Sequence, residues 1–244
     1  MKVFVYDGSM IGFLNIVYMV YTSKIFPQEI VKEHNQRMFD EVYYIQSDED
    51  IAKRVYAGLE KKFEKIFLQK IQHTFLCDTK EYEMYLLNYI ISGFKQQSNL
   101  LNISNQDVYF IDSIQRELFK MAHKYKGFVR FKELKTKEML AIIEPKYNIL
   151  PLIAKHFVSR YKYQDFIIYD KQRSIALIYL NQVLRIENIV SIDDLEYSDS
   201  ELDYQRLWKS FFESVAIKER FNDKLQKSFI PLWYRKHLVE FNDI

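Results

Sequence analysis

Apolar residues recur along this chain with two periods, and the period changes near its middle. Val3-Phe-Val-Tyr6 is a short apolar run that predicts a buried strand. Asp7-Gly8-Ser9 turns it into a helix over about Met10 to Thr22, with Asp7 or Ser9 able to accept from an unpaired N–H of the first turn. The same strand, glycine turn and helix start would also suit an anion, so cap and anion site are both open. Phe26-Pro27 breaks that helix, and the segment to Ile45 shows no clear period. Ser47, with Asp50 three residues on, predicts a helix start. Ile51, Val55, Leu59, Phe63, Ile66 and Phe67 then recur at helical spacing toward Phe75. Thr79 caps a further predicted helix that stops at Gly93, and another spans about Asp107 to Tyr125.

After Gly127 the period drops to two. Phe128 to Leu134 alternates, Lys135-Thr-Lys137 turns, and Met139 to Ile143 returns, which predicts a hairpin. Pro145 and Pro151 bracket a helix at about Ile149 to Tyr161. Phe166 to Tyr169 and Ile175 to Tyr179 form a second hairpin through Asp-Lys-Gln-Arg at 170–173. The expected fold is α+β: a mainly helical N-terminal half, a central antiparallel sheet of β-β-α-β-β order, and a helical C-terminus. Val3 to Tyr6 is a candidate for the same sheet. The expected regions are residues 1–126, 127–186, an acidic linker at 187–203 and a basic aromatic segment at 204–244, together forming one compact unit.

Composition narrows the function classes. Of 244 residues 48% are apolar, with 19 Tyr and 19 Phe, enough for a sizeable core. Net charge is only +2, so no global field calls for a nucleic acid. The single Cys77 excludes a disulfide framework or a cluster held by this chain's own thiolates, and it has no activating partner in sequence. His34, His73, His123, His156 and His237 are too scattered for a metal-ligand spacing, so neither metal nor cofactor is expected. The apolar run at Ile11 to Tyr21 is too short to span a bilayer, and a cytoplasmic protein is expected.

Charge is uneven. Glu187 to Asp203 holds seven acids and no Lys or Arg, which suits an exposed linker or an acidic mimic guarding a basic groove. Gln205 to His237 reverses this, with eight Lys or Arg against three acids, interleaved with aromatics. Arg206, Trp208, Arg220, Trp233, Arg235 and Lys236 are candidates for phosphate contact and base stacking; the alternative is aromatics packed inward and cations facing water.

His156 shares a helix face with Ile149, Leu152 and Ile153, and Arg160 follows one turn later. Such groups need partners, and Asp165 or Asp170 could supply one. A pair of His156 and Asp170 suits acid–base chemistry, and Arg160 with Arg173 suits a phosphate. A buried network tying helix to sheet accounts for the same residues. Glu144 before Pro145 is a further candidate acid. No serine elbow, complete phosphate loop or dinucleotide fingerprint is present.

Several longer stretches carry a resemblance. They are Tyr-Asp-Gly-Ser at 6–9, Arg-Phe-Lys-Glu-Leu at 130–134, and Glu-Pro-Lys-Tyr-Asn-Ile-Leu-Pro-Leu-Ile-Ala at 144–154. His-Phe-x-x-Arg at 156–160, Ile-Tyr-Asp-x-x-Arg at 168–173 and Leu-Trp-Lys-Ser-Phe-Phe at 207–212 continue them. Ile-Lys-x-Arg-x-Asn at 217–222 and Pro-x-Trp-Tyr-Arg-Lys-x-Leu-x-Glu-Phe at 231–241 complete the set. In these the chain resembles a bacterial family of DNA metabolism or repair proteins of unassigned function. Members of that family are encoded beside a radical-SAM protein and sometimes fused to a uracil-DNA-glycosylase-like domain. Two positions depart from its pattern: Ala176, near where a glycine is expected, and the Leu-Trp-Tyr order at 232–234. The resemblance implies a role in DNA repair or modification with a radical-SAM partner. The first reading is a DNA-binding accessory of that system, in which Arg130, Lys132, His156, Arg160 and Arg173 line a second polar site near the sheet. An enzyme acting on DNA and a protein-interaction scaffold are the other readings.

Overall fold

A computed structural model describes residues 1–33, 39–78, 81–189, 191–192, 195–217 and 222–242, with the side chains of Leu232 and Trp233 outside the description. The protein is a mixed helix-and-sheet chain of α+β class, and its contacts divide it into two units, Met1–Leu118 and Phe119–Ile244. The division falls inside one long helix, α5 (Gln106–Phe128).

The N-terminal unit begins with β1 (Lys2–Val5), which does not join the central sheet. It forms a separate three-stranded parallel sheet between β2 (Glu29–Val31) and β3 (Glu41–Tyr44). Strands of three and four residues are too short to show a period, which is why the sequence to Ile45 gives no signal. Helix α1 (Met10–Ser23) is capped by Ser9, whose hydroxyl accepts from Gly12 N–H. Gly8 sits at φ +79° in the turn before it, where a side chain would be strained.

The helix predicted from Ser47 to Phe75 is two helices, α2 (Glu49–Lys62) and α3 (Lys65–Phe75), and its cap is Asp48 rather than Ser47. Phe63 turns extended between them, and its backbone neighbour Glu64 N–H donates to Gln97. The Phe63 ring is buried edge-on to Phe94. It sits so close to Gly93 that a β-carbon there would lie 2.4 Å from it. Gly93 therefore admits a neighbouring ring and does not end its helix; α4 runs over Glu83–Lys95. The proposed cap Thr79 lies outside the described residues.

The C-terminal unit holds a five-stranded sheet in the order β4-β5-β6-β7-β8. These are Lys132–Glu133, Met139–Ile143, Phe166–Asp170, Ile175–Leu180 and Val183–Asn188. The sheet is mixed, not antiparallel: β5 and β6 run parallel, with Ile143 beside Asp170, while the other neighbours are antiparallel. The parallel pair follows from α6 (Leu150–Arg160), which carries the chain back to the starting end of the sheet before β6 begins. The expected first strand is almost absent because α5 continues through Gly127 to Phe128. Strand β8 is additional, so Glu187 belongs to a fully exposed edge strand and not to a linker. The rest of the acidic stretch is partly ordered on the other edge: Lys135 N–H donates to the Glu196 carbonyl, and Ser198 N–H to that of Glu133.

One sheet face packs Ala141, Ile143, Phe166 and Ile168 toward α6, where Phe157 and Phe166 lie 6.5 Å apart between ring centres. The other face gathers Leu134, Leu140, Tyr169, Ala176 and Ile178 into a buried cluster. Beyond the sheet come α7 (Glu201–Val215), α8 (Asp223–Phe229) and α9 (Leu232–Arg235). A final single turn follows at Val239–Phe241. No helix among the described residues is long and apolar enough to cross a membrane.

Candidate functional site

The parallel strands β5 and β6 end side by side; Asp170 is the last residue of β6, and Glu144 directly follows β5. In sheets of this kind the carboxyl ends of parallel strands are where ligands collect. Period-two alternation places Glu144, just past β5, on the face of Leu140 and Ile142. There it meets the returning C-terminus. Lys236 Nζ lies 2.6 Å from Glu144 Oε1 and donates to Oε2 at 2.8 Å. His237 Nε2 lies 3.0 Å from Oε1. The Lys236 hydrogen bond holds the Glu144 carboxyl below its ordinary value, against a modest opposing effect of burial, with His237 adding to the fall. Burial pulls His237 below the ordinary histidine value; Glu144 opposes this, and the nearby Lys236 and Lys171 reinforce it.

Asp170, at the end of β6, has a different fate. It is fully buried, and Arg173 Nη1 donates to it at 2.9 Å. The same guanidinium donates to the carbonyls of Pro145 and Lys146 at 2.9 and 2.7 Å. Gln172 N–H takes the other carboxylate oxygen. Burial raises the Asp170 carboxyl, and Arg173 offsets it. Tyr125 from α5 lies close by; burial first, then Tyr234, Asp170 and Glu144, push its hydroxyl far above the ordinary tyrosine range, so it stays a neutral donor.

His156 and Asp170 share no hydrogen bond or ion pair among the described residues. His156 bonds instead to the Lys126 backbone, and its Nε2 is buried with no partner among the described residues. Burial lowers its pKa, with Lys126 and Arg160 adding to the effect.

Three of the sequence candidates do come together. Arg130, Arg160 and Trp208 line a groove of about 790 Å³ within the C-terminal unit, which Lys126, Phe131, Tyr161 and Tyr204 also line. That volume lies in the usual range of ligand pockets, about 300–1,000 Å³. The Arg130 guanidinium sits 5.4 Å from the centre of the Trp208 ring. Glu240 ties the two together, accepting from Arg130 Nη2 at 2.8 Å and from Trp208 Nε1 at 3.0 Å. Burial works to raise the Glu240 carboxyl, but Arg130 and Trp208 outweigh it and hold it low. Lys126 and Arg160 have no carboxylate partner among the described residues. The groove's two acids are already engaged: Glu201 accepts from Glu133 N–H and Gln205, and Glu133 faces Lys137 at 3.4 Å.

Lys132 and Lys236 join Arg130 in the wall of a smaller cavity, and the other candidates spread out. Lys132 sits 5.1 Å over the Tyr197 ring. Arg206 pairs with Asp203 on the exposed side of α7. Arg235 turns inward to the Ile230 carbonyl and lies 4.3 Å from the Phe241 ring centre. Arg220 and the Trp233 side chain lie outside the described residues. Sequence reasoning treated His237 only as one of the scattered histidines. Its one signal is position: it closes the run Tyr-Arg-Lys-His at 234–237 and needs a distant carboxylate, which Glu144 supplies. No group of three His, Cys, Asp or Glu among the described residues could hold a metal ion.

Comparison with curated proteins gave no match, and comparison with solved structures gave none. The model of a domain of unknown function, DUF4130, matches residues 80–240, about two thirds of the chain. The chain belongs to that family.

Proposed function

We propose that this chain is a nucleic-acid-binding accessory protein of DNA repair or modification, working beside a radical-SAM protein that carries the redox chemistry. The observation that carries this reading is the groove. It sets Lys126 and Arg160, which pair with no carboxylate among the described residues, beside the exposed rings of Tyr204 and Trp208. Cations track a phosphate backbone, and exposed rings stack on unpaired bases, so the groove suits a single strand better than a duplex. The repair context and the partner rest on the family resemblance of the motifs at 130–134, 144–154 and 231–241. The deciding experiment is binding of the purified chain to single- and double-stranded DNA at two salt concentrations. Single-strand affinity should be the higher and should fall steeply with salt. No binding to either form at low salt overturns the reading.

A second face supports the protein partner. Helix α7 leaves Leu207, Phe211 and Val215 exposed at helical spacing, an apolar stripe that buries little within the chain. In this reading the stripe docks the partner protein. Leu207→Asp should abolish co-purification of a co-expressed radical-SAM protein while the urea midpoint stays put; undiminished co-purification removes the stripe from the proposal.

A further inference from the structure

Beside the groove lies a smaller cavity of about 120 Å³ on the Leu140 and Ile142 face of the sheet. The two share Arg130, Gln205 and Val239 in their walls, so one adjoins the other. Arg130, Lys132, Lys236 and His237 line the cavity, and no Asp or Glu among the described residues does. The carboxylates that orient these cations stand behind them. Glu144 holds Lys236 and His237, and Glu240 holds Arg130. Lys132 has no carboxylate partner among the described residues and lies over the Tyr197 ring. Among the described residues, three cations against two carboxylates leave the wall net positive even with His237 neutral. The Arg130 Nε–H is also buried with no partner among the described residues. A built cluster of this kind calls for an anion. The space limits its size: a cavity of about 150 Å³ takes one small ring, so this one admits a single tetrahedral group and not a continuing chain.

We propose that the cavity receives the terminal phosphate monoester of a nucleic-acid strand lying in the adjoining groove. The proposal rests on the nucleic-acid reading of that groove. A monoester brings about −1.5 to −2 of charge and three acceptor oxygens, against the single charge of an internal phosphodiester. Charge-assisted donors fixed from behind by carboxylates meet that demand without rearrangement. The site therefore recognises strand ends, the feature that a nick or gap exposes.

The test uses the full chain and three single strands of one sequence: 5′-phosphorylated, 3′-phosphorylated, and hydroxyl at both ends. Fluorescence anisotropy reads their affinities, and calorimetry reads inorganic phosphate and a mononucleotide. One phosphorylated end should bind about tenfold more tightly than the hydroxyl-ended strand, consistent with a charge-assisted contact. Lys132→Gln should reduce that preference below twofold, and Lys132→Arg should restore it, which separates lost charge from a disturbed edge strand. Equal, salt-sensitive affinity for all three strands overturns the phosphate pocket and leaves the groove reading standing. Lys132-dependent binding of inorganic phosphate or the mononucleotide without binding of any strand overturns both the strand-end proposal and the groove reading. A preference that survives in Lys132→Gln places the end elsewhere and also overturns the proposal.

Discussion

Two acids at the ends of strands in the C-terminal unit show how partners decide what a carboxylate can do. Asp170 closes β6 with every strong partner turned inward: a guanidinium that also binds two carbonyls, and a backbone amide. Glu144 closes the parallel neighbour β5 with partners that face outward, because Lys236 and His237 also line a cavity. The first arrangement consumes its donors. The second orients donors and leaves them available. The N-terminal unit repeats the first case in milder form. Asp7, after β1, accepts from Ser9 N–H, Ser9 Oγ and Ser47 Oγ at 2.9, 2.6 and 2.6 Å, so the chain's own carboxylate occupies the place an anion would take. Those hydrogen bonds, Ser47 first, hold its carboxyl low.

If that contrast is right, the sealed acid is the costliest to remove. Asp170→Ala removes the fully buried carboxylate that Arg173, whose side chain is 11% exposed, meets at 2.9 Å. Breaking one side of such a buried pair costs about 3–5 kcal/mol, and urea denaturation should show a loss of that order. An unchanged midpoint would mean the network around Arg173 is not what ties the segment after β5 to the end of β6. Next in size is the groove. Trp208→Ala should weaken single-strand binding by about 1–3 kcal/mol, the usual worth of one stacked base, with a smaller change for duplex. Equal losses for both forms would point to a phosphate contact through Arg130 instead. Smaller again are the two unpaired cations: Lys126→Gln and Arg160→Gln should each lower the slope of log affinity against log salt by about 0.7 for a single strand. A variant that loses affinity with the slope intact contacts bases or protein, not phosphate.

The longer helices were legible because their apolar positions recur over several turns; α1, α5 and α6 stand within a few residues of where the spacing puts them. What failed was short or distant. Strands β2, β3 and β4 have two to four residues, less than one period needs for a signal. The parallel pairing of β5 and β6 depends on where α6 delivers the chain, which no local pattern states. Arg130 and Trp208 were legible as a basic residue and a ring. Their meeting was not, because Glu240, the residue that joins them, lies 110 positions from one and 32 from the other. Glu144 and His237 are 93 apart for the same reason.

The smallest effect tests whether the Glu144 cluster is a site or a strut. Glu144 has its folded pKa depressed, chiefly by Lys236, so its stabilising contribution is complete above the ordinary glutamate value. It disappears as pH falls through the lower folded value. His237 is depressed too, by burial, so the folded chain prefers it neutral, and the unfolded chain takes up the proton first as pH falls below the ordinary histidine value. Both effects therefore have one sign, with stability declining toward acid in two steps. The Glu144 side chain is 29% exposed, which limits the pair to the range of surface ion pairs, about 0–1 kcal/mol. Glu144→Gln should remove the lower step of the stability profile and cost little at neutral pH. It should also release Lys236 and His237 and weaken the preference for a phosphorylated strand end. A variant that loses several kcal/mol at neutral pH would show instead that Glu144 is a second Asp170, pinning the C-terminus to the sheet.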